Sequence, residues 1–169
     1  MKKSISISLI TGFIFMLMFA FSCKKKVDEV KEQVIGSMKA TISSTTWQAQ
    51  EPIGKIQNGF LVITGLRLVG TAKQSIIIST NAITVGAYDL NKNPLNGTVT
   101  TNTAIYSPNS DSIASNGLKY NYTAYSGAIN ITAIADSRAS GTFEFKCANL
   151  ASDTIQISAG EFKNIYYLN

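Results

Sequence analysis

The sequence predicts an all-β domain, an antiparallel β-sandwich of about ten strands that ends in a C-terminal meander. Four observations predict it. Residues 126–167 alternate apolar and polar side chains with period two: Ile129, Ile131 and Ala133; Phe143, Phe145 and Cys147; Ile155 and Ile157. That spacing puts the apolar set on one face of a pleated strand. The breaks between the runs carry Gly, Ser, Asp and Asn, which tolerate tight turns. No helical period follows residue 36. Runs such as Leu61-Val62-Ile63 and Ile76-Ile77-Ile78 are apolar on both faces, as expected of strands covered on two sides. A lipocalin-like β-barrel is the alternative.

The chain opens on a different kind of sequence. Met1-Lys2-Lys3 is a basic start, and residues 5–21 are almost unbroken apolar sequence. That run is shorter than the ~20 apolar residues of a spanning helix. It leads through Ala20-Phe21-Ser22 into Cys23. A positive n-region, a short apolar core and small residues before the cut make a secretory signal. The ending resembles a bacterial lipobox, with Ala20 where Leu is usual. Residues 1–22 are therefore expected to be a lipoprotein signal peptide, and Cys23 the lipidated residue. Residues 23–36 then form the lipidated Cys and tether, and residues 37–169 the all-β domain. Two or three acyl chains anchor stably, at about 0.8 kcal/mol per buried methylene. Lys24, Lys25 and Lys26 would sit at the headgroups. Lys24 is not the Asp that retains some lipoproteins at the inner membrane, so the expected location is the outer membrane.

Strand signals begin at Met38. Met38, Ala40 and Ile42 alternate, Ser43-Ser44-Thr45 turns the chain, and Trp47 and Ala49 follow. Residues 59–69 and 75–80 are the doubly apolar strands, and Val85, Ala87 and Tyr88 begin another. Residues 89–117 are the least regular, with Pro94, Pro108 and many Asn around a short strand at Ile105-Tyr106. Residues 119–125 lead through Ser126-Gly127 into the meander. The meander is expected to pair 128–134 with 139–147, 139–147 with 153–158, and 153–158 with 161–167.

The stretches Ala40-Thr41-Ile42, Trp47-Gln48-Ala49, Leu61 to Gly65, Gly86-Ala87-Tyr88, Gly141 to Phe145 and Gly160 to Tyr166 together resemble an uncharacterised family of small lipid-anchored bacteroidete proteins with an all-β domain. The resemblance covers about 40–169 and implies a fold but no activity, because its motifs are strand and turn residues. One departure is the turn before Trp47, often Asn-Gly in the family and here Ser43-Ser44-Thr45.

Composition excludes much. The chain has no histidine, which removes Ser-His-Asp and Cys-His catalysis and the usual zinc sites. Cys147 is the only thiol besides Cys23 and shares a face with Phe143 and Phe145, so it should be buried and inert. Asp89, Asn91 and Asn93 have calcium-loop spacing, but Pro94 stands where Gly belongs and Thr100 where the bidentate Glu belongs. An Asx-rich turn explains them, and no metal or cofactor is expected. The carboxylates show no pairing that a glycosidase would need, so no enzyme is expected. The net charge of +5 collapses to +2 from Ser37 onward, where nine Lys and Arg face seven Asp and Glu. These are dispersed, which argues against nucleic acid.

Aromatic residues are the better lead. Trp47, Tyr106, Tyr120, Tyr122 and Tyr125 are candidate ligand-binding residues, although strand-face filling also explains them. Asp111-Ser112-Ile113 and Asp153-Thr154-Ile155 match an Asp-Ser/Thr-aliphatic O-glycosylation pattern, which makes Ser112 and Thr154 candidate acceptors. The leading expectation is a lipid-anchored envelope protein, structural or accessory, acting through protein contacts. The alternative is a glycan- or small-ligand-binding module of the outer membrane.

Cys23 provides the first test. Cys23→Ser should abolish labelled-palmitate incorporation and leave the precursor uncleaved. Unlabelled, soluble wild-type protein would overturn the anchor.

Overall fold

The computed structural model describes residues 36–90, 102–110 and 121–169. The expected signal, Cys23 and the tether up to residue 35 lie outside them, as do Tyr120 and Ser112. The described residues form ten strands and no helix. These are β1 (Ser37–Ile42), β2 (Thr45–Gln48), β3 (Ile53–Gln57), β4 (Phe60–Val69), β5 (Ala72–Thr80), β6 (Gly86–Asp89), β7 (Thr103–Ser107), β8 (Tyr122–Ala135), β9 (Arg138–Ala148) and β10 (Thr154–Leu168).

Seven strands close in the order β9, β10, β3, β4, β5, β7, β8 and back to β9. The fold is a closed seven-stranded barrel with extra strands, not the expected sandwich; it is compatible with the lipocalin-like alternative. The sandwich expectation rested on the doubly apolar strands. In the barrel Leu61, Ile63, Ile76 and Ile78 point inward and are buried. Val62 and Ile77, on the outer face, are only half-buried. One closed sheet therefore accommodates both runs without a second layer.

An odd number of strands cannot alternate direction all the way round. One neighbouring pair must be parallel, and it is β10 with β3, joined at Tyr167–Gly54 and Leu168–Lys55. The extra strands complete the wall where its seams are short. β1 pairs with β10 over Ile157 to Lys163, before β10 reaches β3. β2 pairs with β1, and just beyond it Gln50 N donates to Leu66 O of β4 at 2.8 Å. The β1–β2 hairpin thus fills the wall between β10 and β4 above the end of β3. β6 has a similar place: it pairs with β8 at Ala128 to Ile131, whereas β7 meets β8 only at Tyr122 and Thr123. Asn102, just before β7, ties this seam. Its Nδ2 donates to Asp89 O at 3.1 Å, and its Oδ1 accepts from Asn81 N at 2.9 Å.

Hairpin turns use residues that reach positive φ. Asn58-Gly59 (φ 53° and 83°) joins β3 to β4, and Asp136-Ser137 (50° and 56°) joins β8 to β9. Both central residues with φ > 0 suit the right-handed twist of the flanking strands. Ser43-Ser44 (45° and 73°) does the same between β1 and β2. Ile42 and Thr45 stay paired across it, so the first hairpin keeps its register without Asn-Gly.

The meander differs from expectation at its end. β8 with β9 and β9 with β10 pair as expected. Residues 153–158 and 161–167 do not pair with each other; they are one continuous strand. Between Ile157 and Gly160 the register shifts in a bulge, with Ala159 at φ 48°. An extra residue in a strand bends it without reversing it. Gly160 is required there because a Cβ would come within 2.5 Å of the Phe143 ring carbons.

Phe143 and Phe145 are buried, with ring centroids 6.2 Å apart, while Glu144 between them is exposed. Urea denaturation should show Phe143→Ala costing about 3–5 kcal/mol. Glu144→Ala should stay within about 0.5 kcal/mol. Equal effects would mean that the register is off by one residue.

Candidate functional site

Inward-facing positions fill most of the barrel. Met38, Trp47, Leu61, Ile63, Ile129, Ile131, Ile157, Phe162 and Ile165 are among its buried side chains. At one end the packing stops short and leaves a cup of about 250 Å³. Ile42, Thr45, Trp47, Arg67, Val69, Gln74 and Tyr106 line it.

Strand phase brings these residues together. On β4 the inward series Leu61, Ile63 and Gly65 continues to Arg67 at the rim. On β5 the inward series Ile78 and Ile76 continues to Gln74, directly opposite Arg67. Tyr106 lies opposite Ile76 on β7. The Ser43-Ser44 turn sends Thr45 and Trp47 back along the same face as Ile42 and Ala40. Gly65 makes room for the indole: a Cβ there would lie 2.8 Å from Trp47 Cη2 and 2.7 Å from Met38 Sδ.

The polar groups are unevenly satisfied. Arg67 Nη1 donates to Thr46 O at 2.8 Å, which bridges β4 to β2 at the rim. Among the described residues no carboxylate pairs with Arg67. Trp47 Nε1 is buried without a hydrogen-bond partner among the described residues. A buried donor left so costs about 1–3 kcal/mol. Burial, with help from neighbouring Tyr122 and Cys147, pushes the Tyr106 hydroxyl above its ordinary pKa, and Arg67 opposes the shift.

Three of the five candidate aromatics meet here. Trp47 and Tyr106 are buried at the cup, and the half-buried Tyr122 packs against Tyr106 with centroids 6.1 Å apart. The rings are thus a floor and wall, not an exposed stacking platform. Tyr125 stands exposed at the β8 bulge, away from them, and Tyr120 lies outside the described residues. Thr154 is exposed at the start of β10. Cys147 is fully buried, and its Sγ donates to Ile155 O at 3.4 Å. Burial pushes this thiol up to about 11, with a backbone hydrogen bond at Ile155 opposing. Among the described residues no group of three or more His, Cys, Asp or Glu is placed to hold a metal.

Sequence reasoning missed Arg67 and Gln74. The available signal was their position just inside Gly70, where the β4–β5 hairpin turns. Inward-facing polar residues at a strand end mark a barrel mouth, provided that the barrel is recognised first.

A family profile described as a domain of unknown function (DUF6252) matches residues 35–166. The chain belongs to this family. No curated protein and no solved structure matches it.

Cys147 predicts a pH effect. Its folded pKa lies above the ordinary 9.0, so the folded state holds the proton more tightly. The associated stability is complete below the unfolded value and is lost as pH rises from 9.0 towards about 11. Tyr106 acts with the same sign at higher pH. Denaturation at pH 8 to 11 should show a steeper decline for the wild type than for Cys147→Ala. The native thiol should resist alkylation until the barrel unfolds.

Proposed function

We propose that this DUF6252 protein is a lipid-anchored binding module of a bacteroidete cell envelope, held at the outer membrane by Cys23. Its ligand would occupy the cup at the barrel mouth. The observation that carries the reading is the cup itself, where Arg67, Gln74 and Thr45 stand around Trp47, whose buried indole N–H has no partner among the described residues. Proteins rarely leave such a donor unpaired; a small shift of the indole towards the cup would let a ligand oxygen reach it.

The cup limits what that ligand can be. Its volume is below the roughly 300–1,000 Å³ of drug-sized pockets. One small polar group fits, such as the end residue of a glycan or a small organic acid. Arg67 can present two parallel donors to a carboxylate or a pair of hydroxyls. Thr45 and Gln74 add hydrogen-bonding capacity at the rim, and Ile42 and Val69 give the apolar contact that a sugar face accepts. These groups bind and orient; they supply no acid–base pair, so the proposal is binding without turnover.

The accessory reading, through protein contacts alone, draws on the packed interior, which leaves a shallow cup in place of a deep cavity. One experiment separates the two. Trp47 is the only tryptophan, so intrinsic fluorescence reports the cup directly. Titration with monosaccharides, short oligosaccharides and simple organic acids should give a saturable emission change for at least one. Arg67→Ala should weaken that ligand about tenfold or more, as expected for a lost charged hydrogen bond. No saturable change across the panel at millimolar concentration would leave the accessory reading in its place.

A further inference from the structure

The barrel carries an apolar stripe on its outer wall that neither the core nor the cup explains. Ile53 is 62% exposed, Leu68 53%, Leu66 41%, Tyr166 50% and Leu168 59%. These five account for most of the large apolar side chains that are exposed among the described residues. They lie on three adjacent strands. Ile53 faces outward opposite Thr64, with Leu66 at the diagonal position on the same face and Leu68 beyond it. On its other side, the parallel register of β3 with β10 sets Tyr166 beside Ile53 and Leu168 beside Lys55. Ile53, Leu66 and Leu68 also line one outer groove of about 570 Å³, with Gln50, Glu51 and Lys73 at its edges. Single exposed apolar residues need no explanation, but a contiguous set does.

We propose that this stripe is a docking face for the bilayer in which Cys23 is anchored. The inference rests on the anchor reading above and adds an orientation to it. The tether's point of entry supports it. Gly36 lies against β10, where an added Cβ would be 2.9 Å from Asn164 O and from Ile165 Cδ1. The chain thus joins the barrel at Asn164 and Ile165, directly before Tyr166 at one border of the stripe. The thirteen residues from Lys24 to Gly36 reach at most about 45 Å, enough for the wall to lie flat against the headgroups.

The chemistry also fits an interface. Leu and Ile supply apolar area, and Tyr166 has the amphipathic ring that suits headgroup depth. Arg138 sits 5.8 Å from the centre of that ring, and Lys55 faces outward beside Leu168. Basic residues at the border of an apolar face favour anionic lipid. The acyl chains hold the protein at the membrane; the stripe sets which way the barrel faces. The cup, on the inner side of the same β4–β5 wall, would open along the membrane surface.

Position-specific labelling tests this. The full-length protein is purified from host membranes and placed in phosphatidylcholine–phosphatidylglycerol vesicles that contain brominated lipid. A fluorophore is attached at Leu66→Cys or, as a control, at Asn130→Cys on the outer face of β8. The buried Cys147 takes no label. Quenching at position 66 should be at least twofold greater than at 130. Equal quenching, or none, overturns the docking face. Self-quenching at 66 that follows protein density, without quenching by lipid, overturns it in favour of a second copy of the chain. Intact mass distinguishes failure of the anchor. Protein that carries acyl chains but shows no difference between the labels loses the docking face alone. If no acyl mass is present, the anchor reading falls. The same two labels, placed in a Cys23→Ser background and read with excess vesicles, then decide the docking face separately.

Discussion

The fold depends on a two-residue seam. Seven strands can close only if one neighbouring pair runs parallel, and here that pair spans just Tyr167–Gly54 and Leu168–Lys55. So short a seam contributes little by itself. It holds because β10 is supported on both sides before it reaches β3, by the length of β9 and by β1. The bulges in β10 serve this end. They bend one long strand around the barrel so that its first half closes against the β1–β2 hairpin and its last turn of wall against β3. The interior then fills from all sides, and the mouth is left where the β1–β2 hairpin and the ends of β4, β5 and β7 converge.

Much of this was legible in the residues, and the rest was hidden for physical reasons. Period-two alternation placed Phe143, Phe145 and Cys147 inside and Glu144 outside, because one buried face forces that register. Alternation says which face is buried but not whether the sheet meets a second sheet or itself. Val62 and Ile77 therefore read as evidence for a second layer when they are half-covered outer-wall residues. Ala159-Gly160 read as a turn because the same residues serve turns and bulges. β3 was missed although Asn58-Gly59 marks its hairpin plainly, because Ile53 and Ile56 are too sparse to look like a strand. At the cup, the aromatic residues were visible by type. Arg67 and Gln74 were not, since a polar residue on an inward phase means something only once the interior is known to have an opening.

The cup and the stripe lie on opposite faces of the same wall. Leu66 and Leu68 point out, and Arg67 between them points in. Contact on the outside of β4 therefore bears directly on the strand that holds the guanidinium. Arg67 is also tied to Thr46 O, so its position depends on the β1–β2 hairpin as well as on its own strand. Two elements that enter the barrel wall from different parts of the chain thus set the position of the Arg67 guanidinium.

The shared use of β10 has a consequence for when the protein can fold. β1 and β3 are the first and third of the described strands, and both pair with β10, which follows them far along the sequence. β9 needs it as well. Until residues 154–168 exist and are free to move, the first hairpin has no wall to join and the barrel has no closure. Non-local pairing of this kind folds slowly. Without β10 the sheet stays open between β9 and β3, so closure of the barrel waits on this one strand.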